Sequence, residues 1–194
     1  MVSRFLITGL PRSRTAWLAA LCNTVAGAVC WHEPCARAAS WQMACAAWYR
    51  ASPRFIGLSD PTLAVHLGAI LKDHAPRVLW IDRPVADVEA SLARLGFGGT
   101  GIPATALEAA TPFLGHALVT RVRFGALNDN EVVAWALTKL MPGAIPNRAV
   151  IAEFQRLNIQ VQPSVARGEA AAQRAHLPAI FGAEFIARMR ERVA

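Results

Sequence analysis

The sequence predicts an α/β protein, a three-layer sandwich with helices on both faces of a mainly parallel sheet of about four to five strands. Two observations carry that expectation. Short apolar runs of strand type alternate with longer segments whose apolar residues recur at helical spacing, the pattern of a parallel sheet covered on both sides. The residues with chemistry to offer, namely 9–15, His32, Glu33, Asp60 and Arg83, all fall just after strand-like runs. Ligands collect at that end of such sheets.

The elements follow in order. Arg4–Thr8 reads as the first strand, with a loop and a helix over Ser13–Ala26 behind it. Ala28–Trp31 is a short strand, and Ala36–Arg50 has apolar residues at helical spacing. Phe55–Leu58 is a third strand, ending in Ser59-Asp60-Pro61, and Thr62–His74 is a helix. Arg77–Ile81, "RVLWI", is the clearest buried strand. Pro84 opens a helix to about Leu95, since proline fits a first helical turn. Residues 96–101 are glycine-rich and make a candidate lid. The C-terminal half reads as helix-rich: Ala104–Arg121, Asp129–Leu140, a break over Met141–Asn147, then Arg148–Leu157. A last short strand, Ile159–Val161, and a closing helix, Phe181–Arg192, complete the pattern.

At 194 residues the chain suits one well-cored domain, 1–194. It is 54% hydrophobic and 17% charged, which excludes a disordered chain. The longest apolar stretch, near Leu18–Val29, is broken by Asn23 and Gly27, short of a membrane span. Arg12 and Arg14 interrupt what would be a signal peptide, so a cytoplasmic protein with no membrane partner is expected. The cysteines, Cys22, Cys30, Cys35 and Cys45, form no CxxC pair. Buried thiols are expected rather than a metal cluster, and no metal is expected. Net charge is +7, and of 20 cationic residues only Lys72 and Lys139 are lysines. Arginine suits planar, bidentate recognition of phosphate or sulfate. The charge forms no basic block, so nucleic acid is a less favoured partner.

The segment "FLITGLPRSRTAWLAAL", residues 5–21, runs from strand through Gly9 into a helix. A helix N-terminus in that position offers backbone N–H donors and a favourable dipole to an anion. That is a P-loop type of arrangement. The ATP and GTP version needs glycine, lysine and Ser/Thr at fixed offsets. From Gly9 those offsets hold Arg14, Thr15 and Ala16, so that version fails.

A different loop fits. Pro11-Arg12-Ser13-x-Thr15-x-Trp17-Leu18 resembles the phosphosulfate-binding loop of sulfotransferases, Pro-Lys/Arg-Ser-Gly-Thr-Thr/Ser. The resemblance implies a P-loop fold that binds 3′-phosphoadenosine 5′-phosphosulfate without magnesium. It implies that Arg12 touches the bridging oxygen and the sulfuryl group. A fixed cation there can stabilise charge on the leaving phosphate. "VLWIDRPVADVEASL" strengthens the resemblance: Arg83 follows a strand, Asp87 holds the family's acidic place, and Ser91 lies eight residues beyond Arg83. By resemblance Arg83 and Ser91 hold the nucleotide's 3′-phosphate. The likeness spans about residues 4–95. The sequence departs from it where Arg14 replaces the loop glycine, where Ala16 replaces a hydroxyl, and in the C-terminal half, where Arg167-Gly168 only echoes an Arg-Lys-Gly loop.

Sulfuryl transfer to an alcohol needs a base. "CWHEPC" ends the second strand, so Glu33 and then His32 are the candidates, Glu33 first by resemblance to bacterial sulfotransferases. The competing role for Glu33 is an ion pair with Arg12 or Arg14. Asp60 reads as a helix cap before Pro61-Thr62, with orienting substrate or holding an arginine as the other role, and Trp41 or Trp48 as core or as lining for an acceptor pocket. The expected function is therefore transfer of a sulfuryl group to an unidentified hydroxyl or amine, on a small molecule or glycan. The alternatives are a P-loop kinase or NTPase, and a nucleotide- or nucleic-acid-binding protein without transfer.

Overall fold

The computed structural model describes residues 2–49, 53–97 and 99–157. Five strands form one sheet: β1 (Ser3–Gly9), β2 (Ala28–His32), β3 (Phe55–Ser59), β4 (Arg77–Asp82) and β5 (Val119–Arg123). All pairings are parallel and the order is β2-β3-β1-β4-β5. β1 lies at the centre, so Phe5, Leu6 and Ile7 are fully buried. The register sets Ile7 beside Ser59 and Gly9 beside Ile81. It also sets His32 beside Ser59 and Asp82 beside Arg123. The carboxyl ends of the strands therefore share one rim.

Helices cover both faces, because alternate strand residues point to opposite sides. On one face α1 (Thr15–Cys22), α6 (Asn130–Leu140) and α7 (Arg148–Arg156) bury Trp17, Leu18, Val133, Leu137 and Ile151 against Phe5, Ile7, Leu79 and Ile81. On the other, α2 (Trp41–Cys45), α3 (Leu67–His74) and α5 (Ile102–Ala110) pack Cys45, Leu67, Ile70 and Ala110 on Leu6, Ile56, Leu58, Val78 and Trp80. α4 (Val85–Ala93) adds a smaller cluster in which Val88 meets Leu10 and Ala106. Gly57 is required by packing: a Cβ there would lie 2.1 Å from the Phe5 ring. This is the α/β three-layer architecture expected from the sequence.

Three expectations are corrected. The helix expected over Ala104–Arg121 stops at Ala110, and Val119–Arg123 is strand β5. Thr111-Pro112 and Gly115 break the helix, and β-branched Val119, Thr120 and Val122 favour an extended chain. The long helix over Ala36–Arg50 is the five-residue α2, flanked by 3₁₀ turns at Pro34–Ala36 and Ala46–Tyr49. Ser40 starts α2 by accepting the Met43 N–H at 3.2 Å. The first helix is shorter than Ser13–Ala26, because residues 13 and 14 belong to the loop. Thr62–His74 holds as a helical segment, but it opens as a 3₁₀ turn over Pro61–His66. The expected strand Ile159–Val161 and helix Phe181–Arg192 lie outside the described residues. Among the described residues, no helix is long and apolar enough to cross a membrane.

Candidate functional site at the end of the central strand

The site begins where β1 ends. Gly9 has φ 156°, and a Cβ on it would sit 2.8 Å from the Ile81 carbonyl oxygen, so a side chain would strike the neighbouring strand. The chain then turns through Arg12 (φ 67°) and Arg14 (φ 59°), both left-handed. That conformation costs an L-residue about 1–2 kcal/mol. Arg14 is the residue before α1, and its side chain does not cap the helix. The first hydrogen bond closing this helix runs from Leu18 N–H to the Arg14 carbonyl at 3.0 Å. The N–H groups of the first turn therefore face the rim without acceptors one turn back.

Four arginines gather around this turn. Arg83, the residue after β4, donates from Nη1 to the Arg12 carbonyl. Its guanidinium carbon lies 4.2 Å from the centre of the Phe124 ring. Arg12 donates from Nε to the Ser91 Oγ on α4 at 3.4 Å. Arg14 donates from Nη1 to the Leu127 carbonyl at 3.2 Å. The Arg14 guanidinium also lies over the Phe124 and Trp17 rings, at 5.4 and 5.8 Å. Burial lowers the Arg83 pKa below the ordinary arginine value; repulsion from Arg12, Arg94 and Arg14 lowers it further, and only Asp87 opposes them. Burial also lowers that of Arg14. Both remain cations at neutral pH.

Two polar atoms here lack partners among the described residues. Ser13 is fully buried, yet its Oγ makes no hydrogen bond, and the buried Nε of Arg83 makes none. A buried, unsatisfied polar atom in a native fold calls for an explanation, and a bound ligand is one. The arrangement suits a polyanion: helix N–H groups, a hydroxyl and several guanidiniums converge, with Asp87 the acid that acts on Arg83.

No family model, curated protein or solved structure matches this chain.

The residues that sequence reasoning selected divide into two groups. Pro11, Arg12, Ser13 and Arg14 lie on the β1–α1 turn, Thr15 and Ala16 open α1, and Arg83 and Ser91 join them through Arg12. Arg14 does not crowd the turn, because its side chain is drawn off toward Leu127 and the aromatic rings. His32 and Glu33 stand at the end of edge strand β2, with β3 between them and β1. Two strand spacings, about 10 Å, separate them laterally from the loop strand. His32 Nε2 and Glu33 Oε1 are 3.5 Å apart. The Glu33 N–H donates to the Ser59 carbonyl at 2.8 Å. Burial lowers the His32 pKa, and the Asp60 carboxylate only partly opposes it. The imidazole is thus neutral at pH 7, the form that accepts a proton.

The other candidates resolve as structure. Asp60 caps the turn at Pro61: its Oδ1 accepts from Thr62 N–H at 2.9 Å and from Thr62 Oγ1 at 2.6 Å. Its Oδ2 accepts from Cys35 N–H at 3.0 Å. Trp48 lines no acceptor pocket; it is buried in the core and donates to the Phe5 carbonyl at 3.2 Å. Trp41 stacks on His66 with ring centres 5.1 Å apart. All four cysteines are free and buried. Among the described residues, no group of three or more His, Cys, Asp or Glu is placed to hold a metal ion. An open groove at the outer edge of the sheet, lined by Val122, Arg123, Val132 and Trp135, takes no residue from the loop.

Phe124, Leu127 and Arg94 are the site residues that sequence reasoning missed. The first two follow β5, which reads as helix in the sequence, and they reach the site only through the pairing of β5 with β4.

Proposed function

We propose that the site binds 3′-phosphoadenosine 5′-phosphosulfate and passes its sulfuryl group to a hydroxyl or amine acceptor. One observation carries the reading: Arg12, Ser91 and Arg83, spread over 79 residues of sequence, meet on a left-handed turn at a helix N-terminus. The sulfotransferase-like pattern asks for that set, and the backbone at Arg14 keeps the conformation that the family's glycine would supply. In this mechanism the acceptor oxygen attacks sulfur in line with the bond to the 5′-phosphate. The new S–O bond forms as the old one breaks, leaving adenosine 3′,5′-bisphosphate. Arg12 and the helix N–H groups stabilise the charge growing on the departing phosphate. Arg83 and Ser91 hold the 3′-phosphate. For Glu33, or His32 beside it, to take the acceptor's proton, the reacting hydroxyl must lie within hydrogen-bond reach of that side chain, so the donor's sulfuryl group extends from the loop toward the end of β2.

A second reading, donor-nucleotide binding without transfer, is favoured by the distance of His32 and Glu33 from the loop. Calorimetry separates the cases. Adenosine 3′,5′-bisphosphate, without magnesium, should bind the wild type and lose at least about tenfold in affinity in Arg83→Ala, the scale of one charge-assisted contact. Binding without turnover in an acceptor screen supports the second reading. No bisphosphate binding by folded protein refutes both, and binding of ATP with magnesium instead points to nucleotide phosphoryl chemistry.

A further inference from the structure

We propose that Phe124 is the positioning residue of this site: its ring holds the Arg14 and Arg83 guanidiniums together, set for an anion before it arrives. The inference rests on the reading of the β1–α1 turn as an anion site. Phe124 is exposed to both cations at once, with ring-centre distances of 5.4 Å to Arg14 and 4.2 Å to Arg83. Two guanidiniums sharing a half-buried space repel each other, and the carbonyls that hold them, Arg12's for Arg83 and Leu127's for Arg14, lie on different segments, so a group that attracts both is still needed to keep them together. A π face does so for each separately, and more strongly where water is excluded. Sheet register explains why this residue does it. Asp82 on β4 is level with Arg123 on β5, so the next residues on each chain, Arg83 and Phe124, leave the rim side by side. The turn after β5 then adds a second anchor, since the Leu127 carbonyl accepts from both Arg14 and the Gln155 amide, at 3.2 and 2.7 Å. One short segment therefore holds a loop residue against the residue that follows β4, beside the bond that Arg83 already makes to the Arg12 carbonyl.

The site's preorganisation is then an aromatic property, and not one of bulk. Phe124→Leu keeps an apolar side chain of similar reach and removes the π face; Phe124→Tyr keeps the face. Calorimetry with adenosine 3′,5′-bisphosphate should show Phe124→Leu weakened about tenfold and Phe124→Tyr within about twofold of wild type, as expected for loss or retention of two partly desolvated cation–π contacts. Phe124→Leu should also unfold slightly earlier than Phe124→Tyr, because the contacts exist before any ligand binds. Equal binding by Phe124→Leu and wild type overturns the proposal, as does equal loss in both variants. A ligand-free arm keeps this separate from the functional reading. Ring-current shifts of the Arg14 and Arg83 Nε–H signals should be present in wild type and Phe124→Tyr and absent in Phe124→Leu. If wild type binds no bisphosphate, the sulfuryl-transfer reading falls, while those signals still decide: an unchanged arginine spectrum in Phe124→Leu refutes the platform.

Discussion

Arg14 occupies a backbone conformation that favours glycine, and it holds it with a side chain anchored elsewhere. Its two contributions can be pulled apart. Arg14→Ala loses the contacts and keeps the strain, whereas Arg14→Gly loses the contacts and relieves it. Urea unfolding should find Arg14→Gly the more stable variant by about 1 kcal/mol. Equal stabilities would mean that the turn relaxes out of the left-handed region in solution. The histidines give a pH prediction of defined sign. Burial is the main cause lowering both His32 and His74. A histidine lowered in the fold binds its proton more readily when unfolded. The stability it gives is complete above the unfolded value, about 6.5, and is lost as pH falls through the folded value. Stability should therefore decline from pH 7 toward pH 5. The double variant His32→Gln, His74→Gln should flatten that slope in urea titrations at the two pH values; an unchanged slope would assign it to other groups.

Helix α1 presents the loop, and its footing lies far along the chain. Trp17 Nε1 donates to the Phe154 carbonyl on α7 at 2.8 Å, and the two rings meet edge-on with centres 6.2 Å apart. Trp17→Phe keeps most of the packing and breaks the hydrogen bond, so it should cost about 1 kcal/mol, since the Phe154 carbonyl keeps the Leu157 N–H as a partner. Thermal unfolding checks this, and hydrogen exchange should show α7 opening more readily than the sheet. The elements also show what a sequence can and cannot declare. β1, β3 and β4 are legible as apolar runs because they are buried on both faces. β5 is an edge strand with Arg121 and Arg123 exposed and only Val122 fully buried, so its apolar signal is one residue deep. The preceding Leu114 and Leu118 happen to continue a helical spacing. The site was legible to the same degree: the turn at 11–16 and the Arg83–Ser91 pair are local patterns. Phe124 and Leu127 arrive through sheet register, which no local window contains.

Across the molecule, charge is distributed so that the rim of the sheet is the place for an anion. Two carboxylates elsewhere are each clasped by an arginine. Asp82 accepts from Arg121 Nε and Nη2, each at 3.0 Å, and Glu131 accepts from Arg148 Nε and Nη2 at 2.6 and 2.7 Å. Near the loop Arg83 feels the charges of Arg12, Arg14 and Arg94, with Asp87 the acid that opposes them. A divalent cation brought in on a nucleotide would meet those arginines. Magnesium should therefore weaken nucleotide binding here, the reverse of its effect in a magnesium-dependent nucleotide hydrolase, and added salt should weaken it further. Calorimetry with and without magnesium at constant ionic strength tests the sign, and tighter binding with magnesium would refute this account of the site.

The Leu127 carbonyl, shared by Arg14 and Gln155, and the Phe154 carbonyl, held by Trp17, have a consequence for the order in which the protein is made. During synthesis the turn at residues 9–15 leaves the ribosome ahead of every strand but β1. All five strands of the sheet have followed once residue 123 is out. Yet the braces on α1 and on the Leu127 oxygen come from α7, some thirty residues later. The turn is thus fully secured only after α7 is made, and ligand competence should trail sheet formation in a growing chain.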